Sequence, residues 1–345
     1  LFGSVTFHHL GLAISAAFGL VACIIALVLI IQHATHYSKP WEQRHIIRIL
    51  LMIPIYAIVS FLSYLFYKYA IYWEVIRDCY EAFAIASFFT LLCHYLEPTL
   101  HEQKNYFRRL QPRNWIWPVP WLQKCSGGQN RGPFRVPRSG LTWFNIIWVG
   151  VFQYCAIRVI FTFVSLITQF LGRYCEPSLS PAFAHIWATV FEGVAVSFAM
   201  YFLIQFYFQL RTDLAPYKPF MKILCIKLVI FFSFWQTFLI GFLVGSHGPL
   251  QPTKHIAYPD LNTGVPSMLL CIEMACFAIL HIFAFSSKPY NISNPANASD
   301  PSMKYHGFFY ALIDAFNPWD IVKALARSMR WLFVGYRKRE NDESY

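Results

Sequence analysis

The chain is 345 residues long, 57% hydrophobic, 19% aromatic and only 13% charged, where ordinary soluble domains carry about a quarter charged residues. That composition excludes a disordered chain, a collagen-like repeat and a nucleic-acid reader with a solvated basic face. Lys and Arg total 28 against 17 Asp and Glu, a formal charge of +11, and in a polytopic membrane protein such an excess sets orientation.

Apolar runs of about 20 residues predict membrane helices, because a helix rising about 1.5 Å per residue needs that many to cross a core of about 30 Å. In chain order they run approximately Phe7–Ile31, Ile46–Tyr67, Asp78–Leu96, Leu141–Leu171, Pro181–Leu210, Phe220–Gly245 and Gly264–Phe285. The first is too long, and lacks the basic flank, for a cleaved signal peptide. The chain opens on Leu1, so a few residues are expected to precede it. No internal repeat is visible, which argues against an inverted-repeat transporter.

The loops orient these spans. Lys39 and Arg44 mark the first loop, with Arg48 at its edge, and Lys104, Arg108, Arg109, Arg113, Lys124, Arg131, Arg135 and Arg138 the third. Arg211, Lys218 and Lys222 mark the fifth, and Lys323, Arg327, Arg330, Arg337, Lys338 and Arg339 the tail. The other loops hold only Lys68, Arg77, Arg173 and Lys254. The fold expected is therefore all-α and integral to the membrane, a seven-helix bundle with its N-terminus outside or lumenal and its C-terminus cytosolic. Residues 1–290 would form the transmembrane domain and 291–345 a cytosolic tail. On this topology the sequons at Asn291 and Asn297 face the cytosol and stay unmodified.

Ionisable residues inside spans are expensive and face a bundle interior or a cavity. Arg158, Glu192, Lys227 and Glu273 fall at comparable depth in four consecutive helices. An internal ion-pair network neutralises them most simply, either fixing how the helices pack or lining a polar path. Lys227 also has the option of snorkelling to the interface. His185, Thr189 and Glu192 share one helical face, as do Ser87, Thr90 and His94. Both rows either line a cavity or bond to neighbouring helices. The candidate solute-binding residues are Arg158, Glu192, Lys227, Glu273, His185 and Glu81. No ligand cluster, CxxC pair or soluble-enzyme motif is present, so neither a metal, a cofactor nor catalysis is expected.

Cys79, at the opening of the third predicted helix, and Cys175, in the fourth loop, both face outside on this topology, where a disulfide is permitted; two free thiols are the alternative. The third loop holds Trp115, Trp117 and Trp121 among prolines, then Lys124 and Cys125. Tryptophans beside cations favour the membrane interface, and Cys125 is a lipidation candidate there. In the tail, Asn317 suits an N-cap, Pro318 the first position and Asp320 the positive dipole end of a helix over about 317–335. Its apolar stripe of Trp319, Val322, Leu325, Met329 and Leu332 is flanked by cations. It reads as an amphipathic helix on the cytosolic leaflet, or alternatively as a helix packed under the bundle. Trp319 to Val322 and Trp331 to Val334 each match the aromatic-x-x-aliphatic pattern that docks autophagy ubiquitin-like proteins.

Several blocks carry a resemblance. Lys39-Pro-Trp-Glu-Gln-Arg44 leads into Ile46-Ile-Arg48 and on through Pro54-Ile-Tyr56. Then follow Arg77-Asp-Cys-Tyr-Glu81, Phe191-Glu192-Gly, Lys227 through Trp235-Gln, and Phe316-Asn-Pro318-Trp-Asp320. The chain resembles the organic solute transporter alpha-subunit family, closest in these blocks to its transmembrane protein 184 and fungal vacuolar branches. The resemblance implies a seven-helix bundle and facilitated transport of an amphipathic organic solute such as a steroid-, bile-acid- or lipid-like anion. It also implies a single-span partner subunit. Where the animal subunit carries a loop cysteine cluster, this chain has Cys125 alone. Fungal relatives imply a vacuolar or endomembrane location and, as the alternative function, a scaffold whose tail recruits an autophagy ubiquitin-like protein. The expected partners are thus membrane lipids, the solute, a partner subunit, a ubiquitin-like protein and further copies of the chain, and not nucleic acid. A receptor is the least supported reading, because the third span ends His94-Tyr-Leu-Glu97 with no Asp-Arg-Tyr block.

Overall fold

The computed structural model describes residues 6–126, 128, 132, 134–174, 180–244, 256, 259–292 and 303–333. Within 219–244 the side chains of Lys227 and several others lie outside the described set, as do Cys175, Val334 and the sequon residues Ser293 and Asn297. The helices are, in order, α1 (Phe7–Thr35), α2 (Pro40–Leu50), α3 (Met52–Leu65), α4 (Ala70–Leu96), α5 (Leu100–Arg109), α6 (Val119–Cys125) and α7 (Gly140–Phe170). They continue with α8 (Ala184–Gln209), α9 (Arg211–Leu214), α10 (Pro219–Val244), α11 (Val265–Ala284), α12 (Phe308–Phe316) and α13 (Trp319–Phe333). Among the described residues, six segments are long and apolar enough to cross a bilayer: Phe7–Thr35, Pro40–Leu65, Tyr67–Leu96, Gly140–Phe170, Ala184–Gln209 and Asp260–Tyr290. The run expected over Phe220–Gly245 coincides with α10.

Two elements depart from the expected boundaries. The second span starts at Pro40 and breaks into α2 and α3 at Leu51. The cause is Pro54, which has no N–H to offer the Leu50 carbonyl and crowds it. The α-helix of the third span, α4, starts at Ala70, eight residues ahead of the expected Asp78. Arg77 is therefore not a loop charge, and Cys79 lies within α4 rather than at its opening. The helix tolerates these charges because they neutralise locally: Arg77 Nε donates to Asp78 Oδ1 at 2.8 Å, and its guanidinium lies 5.5 Å from the Tyr56 ring centre.

The chain divides into two compact units, one of Leu1–Ala84 with Phe220–Phe316, the other of Ile85–Pro219 with Asn317–Tyr345. In the first, α1, α3 and α11 pack together. Small residues permit the approach: Ala22, Ala26, Ala57, Ala275 and Ala278 are buried among Met52, Ile53, Tyr56 and Met274. In the second unit, α7 packs on α8 and α13 on α7. Its core is aromatic: Phe89, Phe107, Trp143, Phe144, Phe152 and Phe206 are fully buried. Phe107 stacks on Phe144 at 3.9 Å and Phe89 meets Phe206 edge-on at 5.1 Å. The outer face of α8 shows the opposite, an exposed stripe of Trp187, Val190, Phe191, Val194 and Phe198 at helical spacing, as a lipid-facing surface requires.

The Lys39–Arg44 block is the hinge of the first unit. Gln43, wholly buried, accepts from the Ser38 and Lys39 amides through Oε1 and donates from Nε2 to the His33 and His36 carbonyls. One side chain thereby satisfies the backbone of the α1–α2 turn, which helix ends leave orphaned. Glu42 accepts from the Tyr290 hydroxyl at 2.7 Å. Arg48, expected at the edge of the first loop, is buried, and its Nε donates to the Ala315 carbonyl at 2.8 Å, capping the negative end of α12. Asp314 of α12 accepts from the Tyr37 hydroxyl at 2.6 Å and faces Arg44 at 3.5 Å. Burial first, then this hydrogen bond and the carboxylate charge, push the Tyr37 phenol far above its ordinary range.

Candidate functional site

Each unit carries a polar cluster within its spans. In the second unit, Arg158 and Glu192 face each other across the α7–α8 contact. Arg158 Nη1 and Glu192 Oε2 form an ion pair, with side chains only 12% and 17% exposed. Glu192 stands about 12 Å into α8 at 1.5 Å per residue, well within the apolar layer. Thr162 bonds the Arg158 carbonyl at 2.8 Å, one turn further along α7. One turn on the other side, Gln153 Nε2 reaches across to the Ala195 carbonyl at 2.8 Å, so α7 and α8 are tied at two levels.

The row of His185, Thr189 and Glu192 is present on α8, but only Glu192 engages α7. Thr189 turns back to the His185 carbonyl at 2.9 Å, and the His185 ring meets Tyr174 edge-on at 5.2 Å. The second row behaves similarly. Thr90 bonds the Ala86 carbonyl at 2.9 Å, His94 faces the Pro98 carbonyl at 3.0 Å, and Ser87 is fully buried. Local backbone bonding of this kind is the ordinary fate of hydroxyls in helices.

In the first unit, Glu81 of α4 is buried and accepts from the Tyr56 hydroxyl of α3 at 2.6 Å. Tyr80 donates to the Arg48 carbonyl at 2.7 Å. Together with Arg77 and Asp78 these residues put both signs of charge inside one packed helix group. The motif Arg77-Asp-Cys-Tyr-Glu81 thus supplies three polar side chains directed at α2 and α3. Sequence reasoning named Glu81 but missed Tyr56 as its donor; the Pro-Ile-Tyr56 block was the available signal. Glu273 lies half-buried on α11 of this unit, and its Oε2 makes no hydrogen bond to any described residue. The expected four-charge network is therefore seen as one pair, Arg158 with Glu192, while Glu273 lies in the other unit and the Lys227 side chain falls outside the described residues. Among the described residues no group of three or more His, Cys, Asp or Glu is placed to hold a metal.

Of the tail residues, Trp319 and Val322 are exposed, whereas Trp331 is buried against α7. The α13 start is capped as its sequence suggests, with Trp319 N donating to Asn317 Oδ1 at 3.0 Å. Cys125, the last residue of α6, is exposed, and so are Trp117 and Trp121.

Residues 11–290 match the family described as organic solute transporter Ostalpha. The chain is 34% identical, over 83% of its length, to transmembrane protein 184 homolog of Dictyostelium discoideum, covering 54% of that protein. It is 29% identical, over 94% of its length, to Protein LAZ1 homolog 1 of Arabidopsis thaliana, covering 66% of that protein. The chain thus spans between half and two thirds of these relatives. No solved structure matches it.

Proposed function

The chain belongs to the organic solute transporter Ostalpha family, and from that premise we propose that this integral membrane protein mediates facilitated transport of an amphipathic organic anion, steroid-, bile-acid- or lipid-like. The observation that carries the reading is the Arg158–Glu192 pair, two charges withdrawn from water between two membrane helices. Such a pair costs desolvation energy that well-packed apolar residues would avoid, so a role beyond packing is its most economical explanation. In this reading the cation recruits the anionic group and Glu192 holds it in place. The aromatic walls accept the apolar body. His185 stands at the α8 end of the path in the same unit, and Glu81 with Tyr56, Glu273 and Lys227 are solute-binding candidates of the other unit.

The topology proposed with it makes α10 a seventh span, with the N-terminus outside or lumenal and α13 in the cytosol, which the distribution of Lys and Arg supports. A vacuolar or other endomembrane location, a single-span partner subunit, self-association, a Cys79–Cys175 disulfide and lipidation of Cys125 belong to the same reading. Flux of a fluorescent steroid sulfate into proteoliposomes tests it. Saturable uptake that stops at equal concentrations is expected; no uptake above protein-free liposomes from folded protein would refute it.

One observation favours a second reading, a scaffold whose tail recruits a ubiquitin-like partner. Trp319 and Val322 are 59% and 43% exposed on α13, so the first aromatic-x-x-aliphatic segment is accessible, while burial of Trp331 disfavours the second. Under that reading Trp319→Ala abolishes capture of the partner in a pull-down and Trp331→Ala acts only through stability.

A further inference from the structure

An apolar groove of about 310 Å³ lies in the second unit, lined by Ile146, Val149 and Gly150 of α7, Phe198 and Phe202 of α8, and Trp331 of α13. Gln153 lies at its inner end, with its amide nitrogen bonded to the Gly150 and Ala195 carbonyls. Gly150 is required there, because a methyl group at this position would overlap the Phe202 ring. Along α7 the groove runs from about 9 Å to about 20 Å beyond the helix start. Phe198 stays exposed on the outer stripe of α8, so the groove opens towards lipid.

The end nearest the α7 start is the charged one. There Phe202 meets Trp115 edge-on at 6.2 Å, at the foot of the long basic segment between α4 and α7. On α13, Lys323, Arg327 and Arg330 share one flank, and Trp331 follows Arg327 by one turn. Arg327 lies 5.2 Å from the Trp148 ring centre, held against α7, and Lys323 lies 5.8 Å from that of Trp319.

We propose that this groove holds one acyl chain of an anionic phospholipid, whose net negative headgroup is held by the α13 cations. Apart from Gln153, whose amide nitrogen is already bonded to backbone carbonyls, the lining is apolar; its size suits a single hydrocarbon chain, and its charged end complements an anionic headgroup. A zwitterionic lipid would satisfy the apolar part, but its own ammonium offsets its phosphate and leaves no net charge for the cations. The site does not rest on the transport reading, since Arg158 and Glu192 do not line it.

The test uses the full chain in nanodiscs containing phosphatidylserine or phosphatidylcholine with a diazirine on one acyl chain, followed by peptide mapping of the crosslinks. Labelling of the α7, α8 and α13 groove peptides is expected to saturate at one lipid per chain. Phosphatidylserine should exceed phosphatidylcholine by at least about fivefold, the effect of a single cation near an anionic lipid surface. Val149→Trp, which fills the groove, should remove the labelling. Ile160→Trp, at an exposed position elsewhere on α7, should not. The surface variant Lys323→Glu with Arg330→Glu leaves the groove intact and should erase the headgroup preference. Equal labelling by both headgroups, labelling that does not saturate, or labelling that survives Val149→Trp would overturn the proposal.

Discussion

Arg158 and Glu192 close an ion pair between α7 and α8, about 12 Å from the start of α8. Removing one partner leaves the other charge buried, whereas replacing both by apolar residues of similar size does not. Arg158→Met alone is therefore expected to destabilise the protein by about 3 kcal/mol, and the Arg158→Met, Glu192→Leu double variant to lie within about 1 kcal/mol of wild type. Thermal unfolding in detergent measures both. A double variant as unstable as the single would show that the pair itself holds α7 to α8.

The α1–α2 turn hangs on Gln43. Gln43→Leu removes the four hydrogen bonds that this buried side chain makes to the turn. With buried unpaired backbone groups costing about 1–3 kcal/mol each, the loss should exceed about 3 kcal/mol. Retention of wild-type melting behaviour would contradict the assignment of this side chain as the organiser of the Lys39–Arg44 block.

Tyr56→Phe deletes the hydroxyl that donates to Glu81 at 2.6 Å. Hydrogen bonds to charged groups contribute about 1.5–3 kcal/mol, and a loss of about 2 kcal/mol is expected. If Glu81 belongs to the solute path, flux in Tyr56→Phe falls further than its stability loss accounts for.

Gly150→Ala should cost about 1–3 kcal/mol through overpacking against Phe202. Phe202→Leu in the same chain should recover most of it, because it removes the ring the new methyl meets. Failure of that rescue would place the strain elsewhere.

The Tyr37 phenol titrates above its unfolded value of about 10 because it is buried and donates to Asp314. Its contribution to stability is accordingly complete below about pH 10 and is lost as the pH rises further. The stability gap between wild type and Tyr37→Phe should stay constant from neutral pH to about 10 and then shrink. A gap that widened with alkali would mean the phenolate is the favoured form in the folded protein.

The spans were legible because hydrocarbon burial writes itself as long apolar runs, as over Gly140–Phe170 and Ala184–Gln209. The start of α4 was not legible, since Arg77 read as a loop charge until it is seen paired with Asp78 and lying over Tyr56. Helix α12 escaped for a related reason. Its nine residues are too short to stand alone, and it is held by tertiary contacts from Arg48, Tyr37 and Arg44. Among the site residues, Arg158 and Glu192 stood out as charges in apolar runs. Gln43 and Tyr56 did not, because an amide or a phenol in a helix announces its partner only once the fold has brought it near.

The most direct test of the transport reading is steroid-sulfate flux by the Arg158→Met, Glu192→Leu double variant in proteoliposomes, beside wild type at matched reconstitution. The variant should fold and melt as wild type does, and saturable flux should fall at least about tenfold, the effect of about 1.4 kcal/mol on a rate. Wild-type flux from the charge-free protein would contradict the account and make the pair a structural clamp.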